Sequence, residues 1–411
     1  MTASVQRARV VWGLLLHWYQ PPTQRPEVLK RVAEESYRPL LSVLEARPHV
    51  RISCNIAGCL LEQLAECGHQ DVLDRIARLV RAGQIDLTGS AGYHAILPLI
   101  PAAERKRQIQ RQIDLMRRHL GLTEPPPGFF PPELAVSSDL VHDLANAGVS
   151  WMLAPGIASA DGWPVQHVAQ ARGGRRRLSV LFRDDVRSDR ISFRQTTAAE
   201  FVQDLAAFGD GRRCYVVVAM DAETFGHHLR SWERQFLASA FDLIAGRDDI
   251  AVGSLTDITA LFPTVNAPTP RAASWSTTHE DLSRYAPFPL WREPGNRMHD
   301  LLWQHVDILV SALEIAERSV NSDAARDEWS EARHLADAAL HSCQFWWASM
   351  RPHWSPSMVY RGLCLQRQAL MHAVRAVRVS QVTTETRHRI DNLLAAGERT
   401  GERLVEELAR G

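Results

Sequence analysis

The chain has 411 residues, of which 45% are hydrophobic and 23% charged, and its 47 basic and 47 acidic side chains cancel to a net charge of zero. This composition excludes a disordered or collagen-like chain, and the balanced charge gives no electrostatic reason to expect nucleic acid or an anionic membrane as a partner. Because the length exceeds what one hydrophobic core usually supports, we expect one large domain and one smaller domain.

The apolar run at residues 10–16 is interpreted as a first buried strand. It is short, it leads into HWYQP, and no small-residue cleavage site follows, so a signal peptide is the poorer interpretation. No apolar run approaches the roughly 20 residues that a membrane span needs. The six cysteines include no CxxC pair, which argues against a zinc knuckle or a thioredoxin-type motif. Reduced thiols suit a reducing compartment, so we expect a cytoplasmic protein.

Short apolar segments alternate with amphipathic segments through the first 260 residues. This alternation predicts parallel strands joined by helices, and seven strands favour an incomplete (β/α)7 barrel over an open nucleotide-binding sheet. No GxGxxG or GxxxxGK[ST] follows a strand, which argues against a dinucleotide or nucleoside triphosphate cofactor. The predicted strands are 10–16, 50–54, 85–88, 128–131, 150–153, 178–182 and 215–220, and the predicted helices are 26–44, 71–82, 102–120, 138–147 and 197–208.

The pattern becomes purely helical towards the carboxyl end. A stretch rich in Pro, Thr and Ala at 262–275 marks a boundary, and a C-terminal α-helical bundle is predicted beyond it. Its helices are 297–319, 324–349, 357–379 and 384–409. We therefore predict a catalytic barrel at 1–265, a connecting segment near the active site at 266–296 and a helical domain at 297–411.

Polar side chains fall where three predicted strands end. His17 closes the first strand, Glu133 follows the fourth and Asp221 follows the seventh. In parallel barrels the loops after the strands converge on one face, which carries the active site. Alone, Glu133 reads equally well as a solvated residue in a proline-stiffened turn, and His17 as a hydrogen-bonded core histidine.

The segment 216–228 is harder to explain structurally. A buried strand leads into two carboxylates and two histidines within eight positions: Asp221, Glu223, His227 and His228. Helix capping by Asp221 accounts for one of these groups but not for the cluster. We interpret it as part of an active site. The tryptophans, in contrast, are more often packing residues than sugar platforms.

These segments together resemble glycoside hydrolase family 57, which contains α-amylases, 4-α-glucanotransferases and branching enzymes. Four short motifs occur in the family's order, at residues 17–21, 83–98, 128–133 and 220–226. Further likeness to a bacterial branch of the family lies at 274–291 and 341–347. The resemblance therefore spans nearly the whole chain.

The resemblance implies an incomplete (β/α)7 barrel with a helical domain, and a retaining mechanism that requires no metal or other cofactor. It implies that Glu133 is the nucleophile and Asp221 the general acid/base, acting on an α-glucan or oligosaccharide. The implied substrate-binding residues are His17, Tyr19, Gln20, His94, Glu223, His227, Trp275, Trp291 and Trp347. Tyr19 stands where the family's HxHQP motif has its second histidine, and the family's Leu-Pro-Glu or Leu-Thr-Glu context is Pro-Pro-Glu here.

Two alternatives follow from the residues. A metal-dependent polysaccharide deacetylase or α-mannosidase-like enzyme on a related barrel could use His17, Asp221, Glu223 and the following histidines as zinc ligands. However, no HxxxH or HxH pair accompanies an aspartate at a strand end, and Glu133 would have no role. A non-catalytic glycan-binding protein is the second alternative, disfavoured by the presence of both carboxylates.

Overall fold

The structure is a computed structural model that describes residues 2–160, 162–352 and 354–410. The chain divides into two compact units. The first comprises Met1–Gln20, Gln24–Gly92 and Leu97–His279, and the second comprises Pro21–Thr23, Tyr93–Ile96 and Glu280–Gly411. The predicted boundaries at residues 265 and 296 stay a prediction.

The first unit is built on a ten-stranded sheet that forms a curled, incomplete (β/α)7 barrel, as the sequence predicts. The order is β10-β6-β7-β5-β4-β3-β2-β1-β8, and β9 also pairs with β1. Only β6 and β7 pair in antiparallel fashion among the described strands. The strands are β1 (Val10–Trp18), β2 (Ile52–Ile56), β3 (Ile85–Gly89), β4 (Gly128–Phe129), β5 (Trp151–Ala154), β6 (Val168–Gly173), β7 (Arg176–Phe182), β8 (Cys214–Asp221), β9 (Ile250–Gly253) and β10 (Thr264–Asn266).

Helices surround these strands. They are α1 (Ala3–Arg7), α2 (Pro26–Val32), α3 (Arg38–Glu45), α4 (Gly58–Glu66), α5 (Gln70–Arg81), α6 (Ala102–Leu120), α7 (Ser138–Asn146), α8 (Asp185–Ser192), α9 (Ala198–Ala207), α10 (Ser239–Ala245) and α11 (Leu255–Leu261). The predicted helix at 26–44 is interrupted by a π-helix at Ala33–Tyr37, and a second π-helix spans Glu233–Ala238. Insertions of this kind are frequent at functional sites.

The central strands bring the predicted site residues together. All nine residues of β1 are buried, because a parallel sheet is covered on both faces and its strands are continuously apolar. β1 lies between β2 and β8, and the register pairs His17 with Asp221 at their carboxyl ends. The last residues of these strands therefore lie at the same end of the barrel.

The second unit is helical. It contains α13 (Arg297–Ser319), α14 (Asp323–Ala339), α15 (Cys343–Trp346), α16 (Pro356–Arg378) and α17 (Thr384–Arg410), preceded by α12 (His279–Ser283), which begins at the last residue of the first unit. Its core is formed by leucine, alanine and valine side chains of α13, α14 and α16. None of the helices within the described residues combines the length and apolar character that crossing a bilayer requires.

The prediction of one continuous helix at 324–349 is wrong. α14 ends at Ala339, and the chain then forms a β-bridge between His341 and Ala95. The Ser342 N–H donates to the carbonyl of His94, 3.1 Å away. These bonds to the 93–96 segment replace helical hydrogen bonds, a tertiary effect that local periodicity does not encode.

Candidate active site

Glu133 lies in a tight turn after β4. Gly128 opens this strand with no space for a side chain, since a Cβ there would lie 2.0 Å from the Trp151 ring. Glu133 itself has φ of 58°, in the left-handed region, as does Leu134 at 49°. Such strain in non-glycine residues persists where the surrounding structure imposes it, and it is concentrated at functional sites.

Trp275 donates hydrogen bonds to both the side chain and the backbone of Glu133. Its indole N–H donates to the Glu133 carboxylate oxygen Oε2 at 2.8 Å, and its backbone N–H donates to the Glu133 carbonyl at 3.1 Å. Both residues keep part of their surface accessible to solvent. The two hydrogen bonds fix the direction of the carboxylate.

The environment of Glu133 favours its neutral form. Removal from bulk water and the negative charge of Asp221 raise the pKa of Glu133, the hydrogen bond from Trp275 opposes both, and the resulting pKa is about 8. Trp275 also contacts the His17 ring edge-on at 6.0 Å, and His17 pairs in register with Asp221, so both carboxyls lie around His17.

Asp221 is the last residue of β8 and pairs in register with His17 of β1. Its side chain is also partly accessible. Desolvation raises the pKa of Asp221 to about 6, and the positive charge of Arg183 limits this rise. Two carboxyls that repel each other titrate as a pair.

Glu223 is a third carboxyl of the cluster and is buried, at 4% exposure. It accepts hydrogen bonds from the Tyr37 hydroxyl, from Gln20 Nε2 at 3.2 Å and from the Tyr19 backbone N–H at 3.4 Å. Burial raises the pKa of Glu223 to about 8, the charge of Asp221 acts in the same direction, and the Tyr37 hydrogen bond opposes them.

The π-helix at Ala33–Tyr37 positions the loop that follows β8. Three consecutive residues reach this loop: Glu35 accepts a 2.6 Å hydrogen bond from His227 Nδ1, the Ser36 hydroxyl donates to the Ala222 carbonyl, and Tyr37 donates to Glu223. These three contacts tie the π-helix to the loop that carries Glu223 and His227.

His17 is held as a neutral imidazole. Its Nδ1 lies 2.7 Å from Asn55 Oδ1, and the Asn55 amide donates to the Thr88 hydroxyl, so Nδ1 carries the proton that Asn55 accepts. Burial lowers the pKa of His17 to about 4. The ring is stacked between Tyr19 and Phe130, with centroid distances of 5.9 and 4.8 Å.

The structure thus brings seven of the predicted residues into one cluster in the first unit: His17, Tyr19, Gln20, Glu133, Asp221, Glu223 and Trp275. His227 lies beside them but is bound to Glu35. The other three belong to the second unit. There His94 Nδ1 lies 2.8 Å from the Ser342 hydroxyl, Trp291 is fully buried, and Trp347 packs edge-on against Trp346. Their contact with substrate stays a prediction.

Sequence reasoning missed Arg183, Tyr37 and Asn55. Arg183 directly follows the predicted strand at 178–182, which is the same signal that identified Asp221, and it was therefore detectable. Asn55 follows the predicted strand at 50–54 in the same way. Tyr37 has no such signal, because it lies inside a segment predicted as an ordinary amphipathic helix. Within residues 2–160, 162–352 and 354–410, no three His, Cys, Asp or Glu side chains form a group suited to a metal ion.

Comparisons with known proteins agree with this geometry. The sequence model of "Glycosyl hydrolase family 57" matches residues 15–266. An α-amylase from Pyrococcus horikoshii is 28% identical over 263 residues, which are 59% of this chain and 39% of that protein. The chain thus spans about two-fifths of the length of this curated relative.

Solved structures show the same fold. The GH57-type branching enzyme from Pyrococcus horikoshii has a TM-score of 0.70 at 14% identity, with 94% of this chain and 95% of that chain covered. The 4-α-glucanotransferase from Thermococcus litoralis has a TM-score of 0.69 at 20% identity, with 92% of this chain and 61% of that chain covered.

Proposed function

The chain belongs to glycosyl hydrolase family 57, and from this premise we propose that it cleaves or transfers α-glycosidic bonds of glucans or oligosaccharides with retention of configuration. Glu133 is the proposed nucleophile and Asp221 the proposed general acid/base. The observation that carries the proposal is the placement of both carboxyls around His17: Asp221 pairs with His17 in register, and Trp275, whose indole N–H donates to Glu133, contacts the His17 ring edge-on. A retaining glycosidase needs such a pair.

In the first half of the proposed reaction, Glu133 attacks the anomeric carbon while Asp221 gives its proton to the departing glycosidic oxygen. The proton must therefore reside on Asp221 when the bond breaks. Positive charge that develops at the anomeric carbon in the transition state stabilises an ionised Glu133 and so favours the arrangement with the proton on Asp221.

In the second half, Asp221 removes a proton from water or a sugar hydroxyl. The oxygen of that acceptor bonds to the anomeric carbon as the bond to Glu133 breaks. His17 supports this site as a neutral imidazole whose Nε2 is a hydrogen-bond acceptor for a sugar hydroxyl. Tyr19, Gln20 and Trp275 are proposed to contact the sugar ring and its hydroxyls. His94, Glu223, His227, Trp291 and Trp347 stay proposed substrate-binding residues.

The proposed compartment is the cytoplasm. All six cysteines are free thiols, which supports a reducing environment. The proposed partner is an α-glucan or oligosaccharide substrate.

The test is a product profile on maltooligosaccharides and aryl α-glycosides, with the anomer followed by NMR. We expect products of retained α configuration, and we expect Glu133→Gln and Asp221→Asn to lose turnover while keeping the wild-type circular dichroism spectrum. Inverted products, or full activity of either variant, would contradict the mechanism.

A further inference from the structure

Arg183 is a buried cation at the end of β7, and its side chain is 5% exposed. Its guanidinium makes three hydrogen bonds at once. Nε donates to the Ala219 carbonyl at 2.8 Å, Nη1 to Asp185 at 2.9 Å and Nη2 to Asp189 at 2.7 Å. A guanidinium with this many fixed partners is immobilised, so its charge and its contacts have defined positions.

The first contact reaches the strand that carries Asp221. Ala219 lies two residues before Asp221 on β8, and its N–H donates to the Ser188 hydroxyl at 3.2 Å, while its carbonyl accepts from Arg183. The Asp184 N–H also donates to the Val217 carbonyl at 2.7 Å. Arg183, Asp184 and Ser188 therefore hold one edge of β8, and β1 holds the other.

The second contact reaches the support of Glu133. The guanidinium carbon lies 5.8 Å from the centroid of the Trp275 ring, within the range of a cation–π interaction. The same indole donates its N–H to Glu133. A single arginine thus touches the strand that places one carboxyl and the ring that orients the other.

The charged groups around this position are defined. Asp185 and Asp189 face Arg183 from α8. The groups that act on Asp221 and its neighbours are Arg183, Glu133, Glu223 and the Tyr37 hydroxyl. Among them Arg183 is the cation, and its charge favours the ionised form of Asp221.

We propose that Arg183 is a positioning residue for both reacting carboxyls: it couples the end of β8 to Trp275 and supplies the charge that returns Asp221 to its ionised form. This inference rests on the proposed function. It acts in the second half of the reaction, where Asp221 must be ionised to accept the proton of the acceptor hydroxyl. Without the cation, the glycosyl-enzyme forms but breaks down slowly.

Arg187 provides a matched control four residues later. It also forms two ion pairs of 2.7 Å, with Asp184 and Asp204, and it also lies over an aromatic ring, Phe208, at 4.4 Å. These partners include neither Ala219 nor Trp275. A substitution of Arg187 therefore has a similar structural cost without the proposed effect on Asp221.

The experiment compares Arg183→Met, Arg183→Lys and Arg187→Met with wild type, using α-maltosyl fluoride, whose leaving group needs no acid, and 4-nitrophenyl α-maltoside. For Arg183→Met we expect kcat on the fluoride to fall about twofold at pH 7 and nearly tenfold at pH 5, because a rise of about one unit from a pKa of about 6 protonates more of Asp221. Azide should restore turnover, because this nucleophile needs no base. The acid limb of kcat/KM on the aryl maltoside should move up by about one pH unit, since Asp221 has the lower pKa of the two carboxyls and loss of a nearby cation raises the pKa of a carboxyl.

Arg183→Lys should keep the wild-type limb, and Arg187→Met should match wild type in both readouts. If Arg183→Met does not fold, Asp189→Asn tests the same claim at a half-exposed partner. It leaves Arg183 with less opposing charge and should move the limb to lower pH. A folded Arg183→Met with an unmoved limb and no azide rescue overturns the inference, as does an unmoved limb in Asp189→Asn. Wild-type inactivity on every α-glycoside instead overturns the proposed function, and this inference with it.

Discussion

Glu223 in the first unit and His299 in the second unit are both ionisable side chains enclosed by protein, and the hydrogen bonds around them differ in kind. His299 Nδ1 accepts from the Glu293 N–H at 3.0 Å, so Nε2 carries the proton and donates to the Phe345 carbonyl at 2.9 Å. These two bonds fit a neutral imidazole. Burial lowers the pKa of His299 to about 4, and the opposing effects of the Phe345 hydrogen bond and of Asp300 do not reverse this, so the ring takes the neutral form that its two hydrogen bonds fit.

At Glu223 the influences conflict. Three donors favour the carboxylate, while burial and the charge of Asp221 favour the neutral acid and raise its pKa to about 8. Agreement among local interactions is typical of structural positions, and conflict is typical of functional sites. By this criterion His299 is a structural residue, whereas Glu223 is held in a protonation state that its own hydrogen bonds do not favour.

The largest expected effect is on the acid itself. Asp221→Asn should reduce kcat/KM on maltotetraose by about 10²–10⁴-fold, because proton transfer to the sugar leaving group is lost. The fall in the rate of glycosyl-enzyme formation from α-maltosyl fluoride should be much smaller, as measured by the burst of fluoride. Asp242→Asn, at an exposed ion pair, is the control. An equal loss on both substrates would show that Asp221 is not the acid.

Trp275→Phe tests how much the hydrogen bond from Trp275 supports the proposed nucleophile Glu133. The variant keeps an aromatic ring but removes the N–H that favours ionised Glu133. A hydrogen bond to a charged group is worth about 1.5–3 kcal/mol, so kcat should fall by about 10- to 150-fold. The alkaline limb of kcat/KM should also move to higher pH, because Glu133 has the higher pKa of the two carboxyls and that pKa rises further. Trp329→Phe in the second unit should change neither quantity.

Glu223→Gln tests whether the buried carboxyl of Glu223 costs the folded protein stability. The raised pKa of Glu223 means that the folded protein binds a proton more tightly than the unfolded chain, so wild type loses stability as pH rises from about 4.5 to about 8. The variant lacks this loss, which amounts to about 1.4 kcal/mol per pKa unit. Thermal unfolding should show that its advantage over wild type is larger at pH 8 than at pH 5. A stability difference between variant and wild type that is equal at pH 5 and pH 8 would show that the folded protein does not raise the pKa of Glu223.

The smallest effect on catalysis is expected at His299. His299→Leu leaves the Glu293 N–H without its partner, at a cost of about 1–3 kcal/mol, whereas the Phe345 carbonyl still accepts from the Ala348 N–H, and kcat should stay within a few-fold of wild type. Because the lowered pKa of His299 costs stability as pH falls from 6.5 to about 4, this component of acid sensitivity should disappear in the variant. Unfolding curves at pH 4.5 and 7 measure both the stability cost of the substitution and the change in acid sensitivity. A kcat loss as large as that of Asp221→Asn would show that His299 also supports the reaction and is not only a structural residue.

The sequence predicted the elements that periodicity encodes. Continuous apolar runs identified β1 and β8, and their ends located His17 and Asp221. The three-residue β10, with exposed side chains in a proline-rich stretch, carries no such pattern and was missed. The contacts of Tyr37 with Glu223 and of Arg183 with Ala219 join residues 186 and 36 positions apart. Only the folded sheet brings these residues together.

The most direct test of the central claim is to trap the intermediate. Wild type is incubated with a fluorinated α-maltosyl fluoride that slows breakdown of the glycosyl-enzyme, and the protein is digested and analysed by mass spectrometry. The account predicts one added glycosyl residue on the peptide that contains Glu133, and no adduct in Glu133→Gln. An adduct on another residue, or turnover of the unmodified substrate without any trapped intermediate, would contradict it.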